Sequence, residues 1–199
     1  MCGIYFYSGN SKDVELRPQA EKIQYRGPDN TKEILDGNSF FTFHRLAING
    51  LRESGNQPFT KGNLTLICNG EIYNHKQLEK KYGLLNKTGS DCEVILEMFE
   101  LVGIEKTVSE LDGVFMFVIH DSENDRTFAA RDAFGVRPGF LGTGFCEFGI
   151  ASEAKSLTDL FSGNVKPFPP GTWWDSHEIT SFNKWYNRSY QTVTEKDDF

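Results

Sequence analysis

A chain of 199 residues, 38% hydrophobic and 14% aromatic, has the length of one large domain and enough apolar side chain to close a core, which excludes a disordered protein. Its 21 Lys and Arg against 28 Asp and Glu give a net charge of −7, with no basic stripe to neutralise phosphates, which argues against nucleic acid as a partner. No run reaches the roughly 18 to 20 apolar residues of a membrane helix, and no secretory-type leader opens the chain, so a cytoplasmic protein without a membrane partner is expected.

In chain order, Met1 to Tyr7 is short, apolar and rich in β-formers, which predicts a strand starting almost at the first residue. Arg17 to Tyr25 is predicted helical, and RGPDN at Arg26 to Asn30 a turn, because Gly27 and Pro28 both oppose helix continuation. Strands are predicted at Ser39 to His44 and at Asn63 to Cys68, the second running into a polar turn at Asn69-Gly70-Glu71. The clearest helix is Asp91 to Val102, where Val94, Ile95, Met98, Leu101 and Val102 make one apolar face, with Ser90 and Glu93 fitting a capping box.

Strand signals then dominate: Val114 to His120, Thr127 to Arg131, a Gly-punctuated hairpin around Gly142 and Gly144, and Phe148 to Ala151. A short helix is predicted at Glu153 to Phe161. No repeat or linker interrupts the order. One domain over residues 1–191 is expected, followed by a charged tail at 192–199 that frays.

None of the four cysteines (Cys2, Cys68, Cys92, Cys146) is spaced as CxxC, and the four histidines (His44, His75, His120, His177) form no HxxxH or HExxH pattern, so no metal site is expected. Cys2 stands apart by position. It follows Met1, and its small side chain is of the type that permits removal of the initiator methionine, which would leave Cys2 a free α-amino group. That amine, with an ordinary pKa of about 7.7 to 8.0 against about 8.5 for a thiol, could accept the thiol proton directly or through one water. The terminus would then be its own general base, a logic known for N-terminal threonine. Taken alone, Cys2 reads more readily as a small apolar residue opening a strand.

Its company decides otherwise. CGIY (Cys2 to Tyr5), YRGPD (Tyr25 to Asp29), HRLAI (His44 to Ile48), QPF (Gln57 to Phe59), NGEIYNH (Asn69 to His75), TGSDCEVIL (Thr88 to Leu96), LDGVFMFVIHD (Leu111 to Asp121), ARDAFGVRP (Ala130 to Pro138) and ASEAKSL (Ala151 to Leu157) occur in one order. Together they resemble the class II glutamine amidotransferases, the N-terminal-nucleophile glutaminases. RGPD, NGEIYNH and TGSDCEVIL, and the late segment Lys166 to Tyr186, are most similar to the glutaminase half of glutamine-dependent asparagine synthetase. The chain departs from the commonest family wording at Asn49, where an apolar residue is usual, and over 134–139, where a proline or leucine is.

The resemblance implies an α+β fold, a four-layer αββα sandwich of two antiparallel sheets between helical layers. It implies that Cys2 attacks the side-chain amide of L-glutamine to give a γ-glutamyl thioester, with Asn69 (side-chain amide) and Gly70 (backbone N–H) as the oxyanion hole. It implies that Arg45 holds the α-carboxylate, that Asp91 pairs with the α-ammonium beside Glu71, and that Leu46, Ala47, Ile48 and Asn49 line the pocket. Each has a plainer reading by itself: Asn69-Gly70 a type I′ turn, Arg45 a solvated charge, Asp91 a helix-dipole partner.

Cys68 and Cys92 read as small buried residues, and Arg26 and Asp29 as loop-holding groups. No cofactor is implied for the glutaminase step; ATP and Mg would belong to an ammonia-accepting synthetase domain or subunit. No P-loop-like or SGGxDS-type motif occurs, so the expectation is a free-standing glutaminase subunit or a piece of a longer protein. Two rival functions stay open: a catalytically inactive glutamine-binding regulatory module, and an N-terminal-nucleophile hydrolase for another amide.

Overall fold

The computed structural model describes residues 1–48 and 52–186; Asn49 and the tail at 192–199 lie outside the described residues. Strand β1 (Gly3–Ser8) opens the fold and is buried along its length down to a half-buried Ser8. It can be buried on both faces because it lies inside a six-stranded antiparallel sheet, between β3 (Ser39–Arg45) and β9 (Phe148–Ala151). β2 (Asn30–Asp36) forms one edge beyond β3, and β8 (Phe140–Thr143) and β10 (Val165–Pro167) follow β9 on the other side.

The second sheet, also six-stranded and antiparallel, runs in the order β12 (Phe182–Lys184), β11 (Thr172–Asp175), β7 (Arg126–Arg131), β6 (Gly113–Asp121), β5 (Leu64–Ile72) and β4 (Phe59–Lys61).

Successive strand residues point to opposite faces, and here both faces are covered. Ile4, Phe6, Phe41 and Phe43 of the first sheet meet Ile67, Met116, Val118 and Trp174 of the second in an interlayer core. The alternate residues Tyr5, Tyr7 and Phe40 pack outward against Leu16 and Ala20 of α1 (Asp13–Glu21) and Phe161 of α4 (Thr158–Phe161). On the far side Leu66, Cys68, Phe115 and Phe117 pack against Leu78 of α2 (His75–Tyr82) and Val94, Ile95 and Met98 of α3 (Glu93–Glu110). The result is the expected αββα sandwich. No described helix is long and apolar enough to cross a membrane.

Several local expectations are corrected. The polar turn at Asn69-Gly70-Glu71 is strand: β5 continues to Ile72, pairing Asn69 with Met116, Gly70 with Phe115 and Glu71 with Val114. Pairing with a central strand buried over most of its length overrides the turn propensity of Asn-Gly. Gly70 is needed there for space, since a Cβ would sit 2.7 Å from the Val114 oxygen and 2.8 Å from the Phe115 Cβ.

The first helix starts at Asp13, where Glu15 accepts the Lys12 N–H at 3.3 Å, and it ends at Glu21, leaving Gln24–Arg26 as a separate 3₁₀ turn. α3 starts at Glu93 and continues past Val102 to Glu110, across a break at Gly103 (φ 75°). Its capping box does not form. The Glu93 carboxylate accepts instead from the Lys87 and Thr88 N–H groups at 2.9 and 2.7 Å, while the Ser90 hydroxyl takes the Cys92 N–H at 3.3 Å.

The helix expected at Glu153 to Phe161 divides into a 3₁₀ turn at Ala154–Ser156 and α4. Strand β2 carries no apolar alternation in NTKEILD because it is a largely exposed edge, so periodicity could not reveal it.

Candidate active site

The period-2 rule that builds the interlayer core also builds the site at its open end. Cys2 continues the face of Ile4 and Phe6, Arg45 that of Phe41 and Phe43, and Asn69 and Glu71 that of Ile67. Three strands from two sheets thus present their next inward positions to one hollow. The pocket has about 480 Å³ of empty space, open solvent at its mouth included, and is lined by Cys2, Arg45, Leu46, Ile48, Asn69, Gly70, Glu71 and Asp91. Ala47 does not line it: its N–H donates to Asp29 Oδ2 at 2.7 Å, and it faces a neighbouring hollow with Asp29, Asn30 and Glu53.

The Cys2 sulfur sits against the backbone of one residue after β3, 3.4 Å from the Leu46 N–H donor and 3.5 Å from the Leu46 oxygen. The Cys2 carbonyl oxygen accepts from Arg26 Nε at 3.1 Å. Burial pushes the thiol pKa up, while the Leu46 N–H, the amino terminus and Arg137 pull it down. A thiol so placed is protonated near neutral pH and needs a base before it can attack.

Opposite it, the β5 ladder decides which backbone groups are available. In an antiparallel pair, alternate residues exchange both hydrogen bonds with the partner strand and the others turn theirs away. Tyr73 N donates to the Asp112 oxygen, so the register directs the backbone groups of Cys68, Gly70 and Ile72 away from β6. Two of those three N–H groups are taken. Cys68 N donates to Gln57 Oε1 at 2.6 Å, with Gln57 Nε2 returning a bond to the Cys68 oxygen at 3.1 Å, and Ile72 N donates to Asp91 Oδ2 at 2.7 Å. The Gly70 N–H lies between them. Beside it, Asn69 Nδ2 is buried and has no hydrogen-bond partner among the described residues. Two donors at one wall of a pocket, one of them orphaned, suit an oxygen that gains charge there.

Arg45 is not a solvated charge. It is buried, and its Nη1 donates to the Arg52 oxygen at 3.2 Å and to Asn56 Oδ1. Asp91 is buried too, held by the Ile72 N–H on one oxygen.

Two lining residues had no assigned role in the sequence, although both stand inside the motifs QPF and ARDAFGVRP. Gln57, preceding a cis Pro58, replaces a strand partner for Cys68. Arg137 reaches Glu71 Oε1 from Nη2 at 3.0 Å, while its Nε is buried without a partner among the described residues. Arg137 is delivered by a loop wound on Asp132, whose carboxylate accepts the N–H groups of Phe134, Val136 and Arg137 at 2.9 to 3.0 Å.

Cys68 and Cys92 are buried as expected, but they also line the pocket. Cys92 Sγ lies 3.7 Å from the Gly70 oxygen, and its thiol pKa is pushed well up by its hydrogen bond to Cys68 and by burial. His44 is a satisfied core residue, bonded to the Ala20 oxygen at 3.0 Å and Thr31 Oγ1 at 2.8 Å. Among the described residues no group of three or more His, Cys, Asp or Glu side chains is placed to hold a metal.

Comparison with known proteins bears on this geometry. A family model described as a glutamine amidotransferase domain matches residues 1–177. The chain is 41% identical over 196 residues to an asparagine synthetase (glutamine-hydrolysing) of Sandersonia aurantiaca and 43% identical over 187 residues to one of Gallus gallus. These alignments cover 94% and 86% of this chain but 37% and 33% of the relatives, so the chain spans about a third of their length. Among solved structures, the glutamine phosphoribosylpyrophosphate amidotransferase of B. subtilis superposes with a TM-score of 0.77 at 20% identity, over 94% of this chain and 50% of that one, a likeness of fold. The two antiparallel sheets, the cysteine at the head of β1 and a family match over most of the length agree, and the chain belongs to the class II glutamine amidotransferase domain family.

Proposed function

We propose that this chain hydrolyses the side-chain amide of L-glutamine at Cys2, releasing glutamate and ammonia. The observation that carries the reading is the pairing, in one pocket, of the Cys2 thiol with an orphaned Asn69 amide and an outward-facing Gly70 N–H.

With Met1 removed, the α-amino group of Cys2 takes the thiol proton as sulfur bonds to the carboxamide carbon. The oxyanion is received by Asn69 Nδ2 and the Gly70 N–H, donors already in place and requiring no reorganisation. The ammonium formed on Cys2 returns its proton to the leaving nitrogen, ammonia departs, and a γ-glutamyl thioester remains. Water, deprotonated by the same amine, adds to the thioester carbon, and collapse expels the Cys2 thiolate, which recovers its proton as glutamate leaves.

Arg45 binds the substrate α-carboxylate and Asp91 its α-ammonium, with Glu71 beside it. Leu46 and Ile48 complete the pocket. Both charged groups are buried, so they interact more strongly than solvated ones would and select glutamine over amides lacking either charge. Removal of the burial-raised thiol proton is the task that the amine performs.

The step uses side chains, the Gly70 N–H and the terminus, without a cofactor. The glutaminase unit is residues 1–191, and the ammonia goes to a synthetase domain or subunit outside it, asparagine synthetase-like by the relatives' names, with ATP and Mg as that partner's reagents. The setting proposed is the cytoplasm.

The test is release of glutamate and ammonia from glutamine by protein whose intact mass shows Met1 removed, and its loss in Cys2→Ala. Full activity in Cys2→Ala overturns the mechanism. Glutamine binding without turnover on Met1-free protein replaces it with a binding module.

A further inference from the structure

β1 runs out of strand partners where its chemistry begins. Its ladder with β9 goes from Ser8↔Phe148 to Tyr5↔Ala151, after which the chain leaves the sheet. Ser152 substitutes for one more rung, donating its N–H to the Ile4 oxygen and accepting the Ile4 N–H on its hydroxyl, both at 3.0 Å. By the alternation of the ladder the Cys2 carbonyl faces the same side, and there it meets the guanidinium of Arg26, Nε to oxygen at 3.1 Å. That guanidinium is held in turn by the residue after Ser152: Arg26 Nη1 lies 2.8 Å from Glu153 Oε1. The Arg26 side chain is 9% exposed, and its Nη2 is buried without a partner among the described residues.

We propose that Glu153 is a positioning residue for the nucleophile, acting through Arg26, whose fork it fixes on the carbonyl oxygen of Cys2. This rests on the reading of Cys2 as an N-terminal nucleophile. Once Met1 is gone, no preceding peptide restrains the amine, and rotation about the Cys2 Cα–C bond would carry amine and thiol together. Arg26 holds the peptide plane by its oxygen, and Leu46 holds the sulfur through its N–H and C=O. With plane and sulfur both fixed, the Cα–N bond has one direction, so the amine stays beside the thiol and the reacting carbon.

Arg26 can do this only while anchored, because a buried guanidinium with Nη2 already unpartnered would, on losing its carboxylate, turn away to find another acceptor or water. A fork is required, since one nitrogen faces the carbonyl while another faces the carboxylate.

The experiment is steady-state glutamine hydrolysis by the full chain with Met1 removed, for wild type, Glu153→Ala, Glu153→Gln and Arg26→Lys. Misplacement of an attacking group by about 1 Å costs on the order of a hundredfold, so Glu153→Ala should lose roughly that in kcat with KM for glutamine little changed. Glu153→Gln keeps an acceptor for Arg26 and should recover most of the loss, whereas Arg26→Lys, lacking the fork, should resemble Glu153→Ala.

Wild-type kcat in Glu153→Ala, or a loss that Gln does not rescue, overturns the proposal. Where Glu153→Ala does not fold, equal kcat in Glu153→Gln and Arg26→Lys overturns it. An inactive wild type would instead overturn the glutaminase reading, so the two failures are distinguishable.

Discussion

Asn69→Ala separates catalysis from stability. Asn69 is 2% exposed and its Nδ2 has no hydrogen-bond partner among the described residues, so the folded enzyme bears the desolvation of a donor without the matching bond. Such an unmet group costs about 1–3 kcal/mol, and truncation removes that cost while losing some side-chain packing. The two nearly offset, and the melting temperature should move by no more than a few degrees.

Catalysis has no such offset. In the tetrahedral intermediate the same Nδ2 faces a full oxyanion, and loss of one donor of this kind costs about 2.7–4 kcal/mol, or roughly a hundred- to thousandfold in kcat. KM should barely change, because the donor acts on charge that develops only in the transition state. Differential scanning fluorimetry alongside coupled glutamate release measures both quantities on one preparation. A kcat within about threefold of wild type would refute the oxyanion assignment, since 1.36 kcal/mol already corresponds to tenfold. A large fall in melting temperature matching the fall in activity would show instead that Asn69 holds the fold.

Other residues give complementary readings. Arg45→Lys keeps the charge but cannot grip a carboxylate with two nitrogens, so KM for glutamine should rise about tenfold or more while kcat is largely retained; an unchanged KM removes Arg45 from the carboxylate site. Gln57→Ala leaves the Cys68 N–H and C=O unpaired in the core, at about 1–3 kcal/mol for each, and chemical denaturation should show that destabilisation; an unshifted midpoint refutes it.

Burial depresses the pKa of both His44 and His120, which the unfolded chain would protonate near 6.5. Below that value the unfolded state binds more protons than the folded one. Stability contributed by the two neutral imidazoles should therefore be complete above about pH 7 and fall as pH drops through 6.5, by at most about 1.4 kcal/mol per pH unit for each. Melting temperatures from pH 7.5 to 5.5 check the slope, and an unchanged slope in His44→Gln refutes the share assigned to His44.

The interior strands were legible because both their faces are apolar. GIYFY, FFTF and VFMFVI announce burial on both faces whatever they pack against, while the layering, helices outside and a second sheet inside, was implied by the family resemblance. Strand β2 was illegible for the opposite reason: NTKEILD is an edge whose only strand partner among the described residues is β3, and its side chains face largely into water.

At the site, the ordered motifs named Cys2, Asn69, Gly70, Arg45 and Asp91, while local propensity suggested a turn at Asn69-Gly70. That suggestion failed because local propensity is worth about 1 kcal/mol, less than pairing nine residues of β5 along β6. What sequence alone determined was the chemistry available: a thiol next to a potential amine terminus, an amide, a guanidinium and carboxylates, in a family order. Only tertiary structure decided that Cys2, Arg45 and Asn69 take the next inward positions of three strands, that the Gly70 N–H faces away from its ladder, that Gln57 and Arg137 line the same pocket, and that Glu153 grips the Arg26 side chain behind Cys2. Those facts depend on register and on where β9 ends. Register is a property of two strands together, and no single segment of sequence contains it.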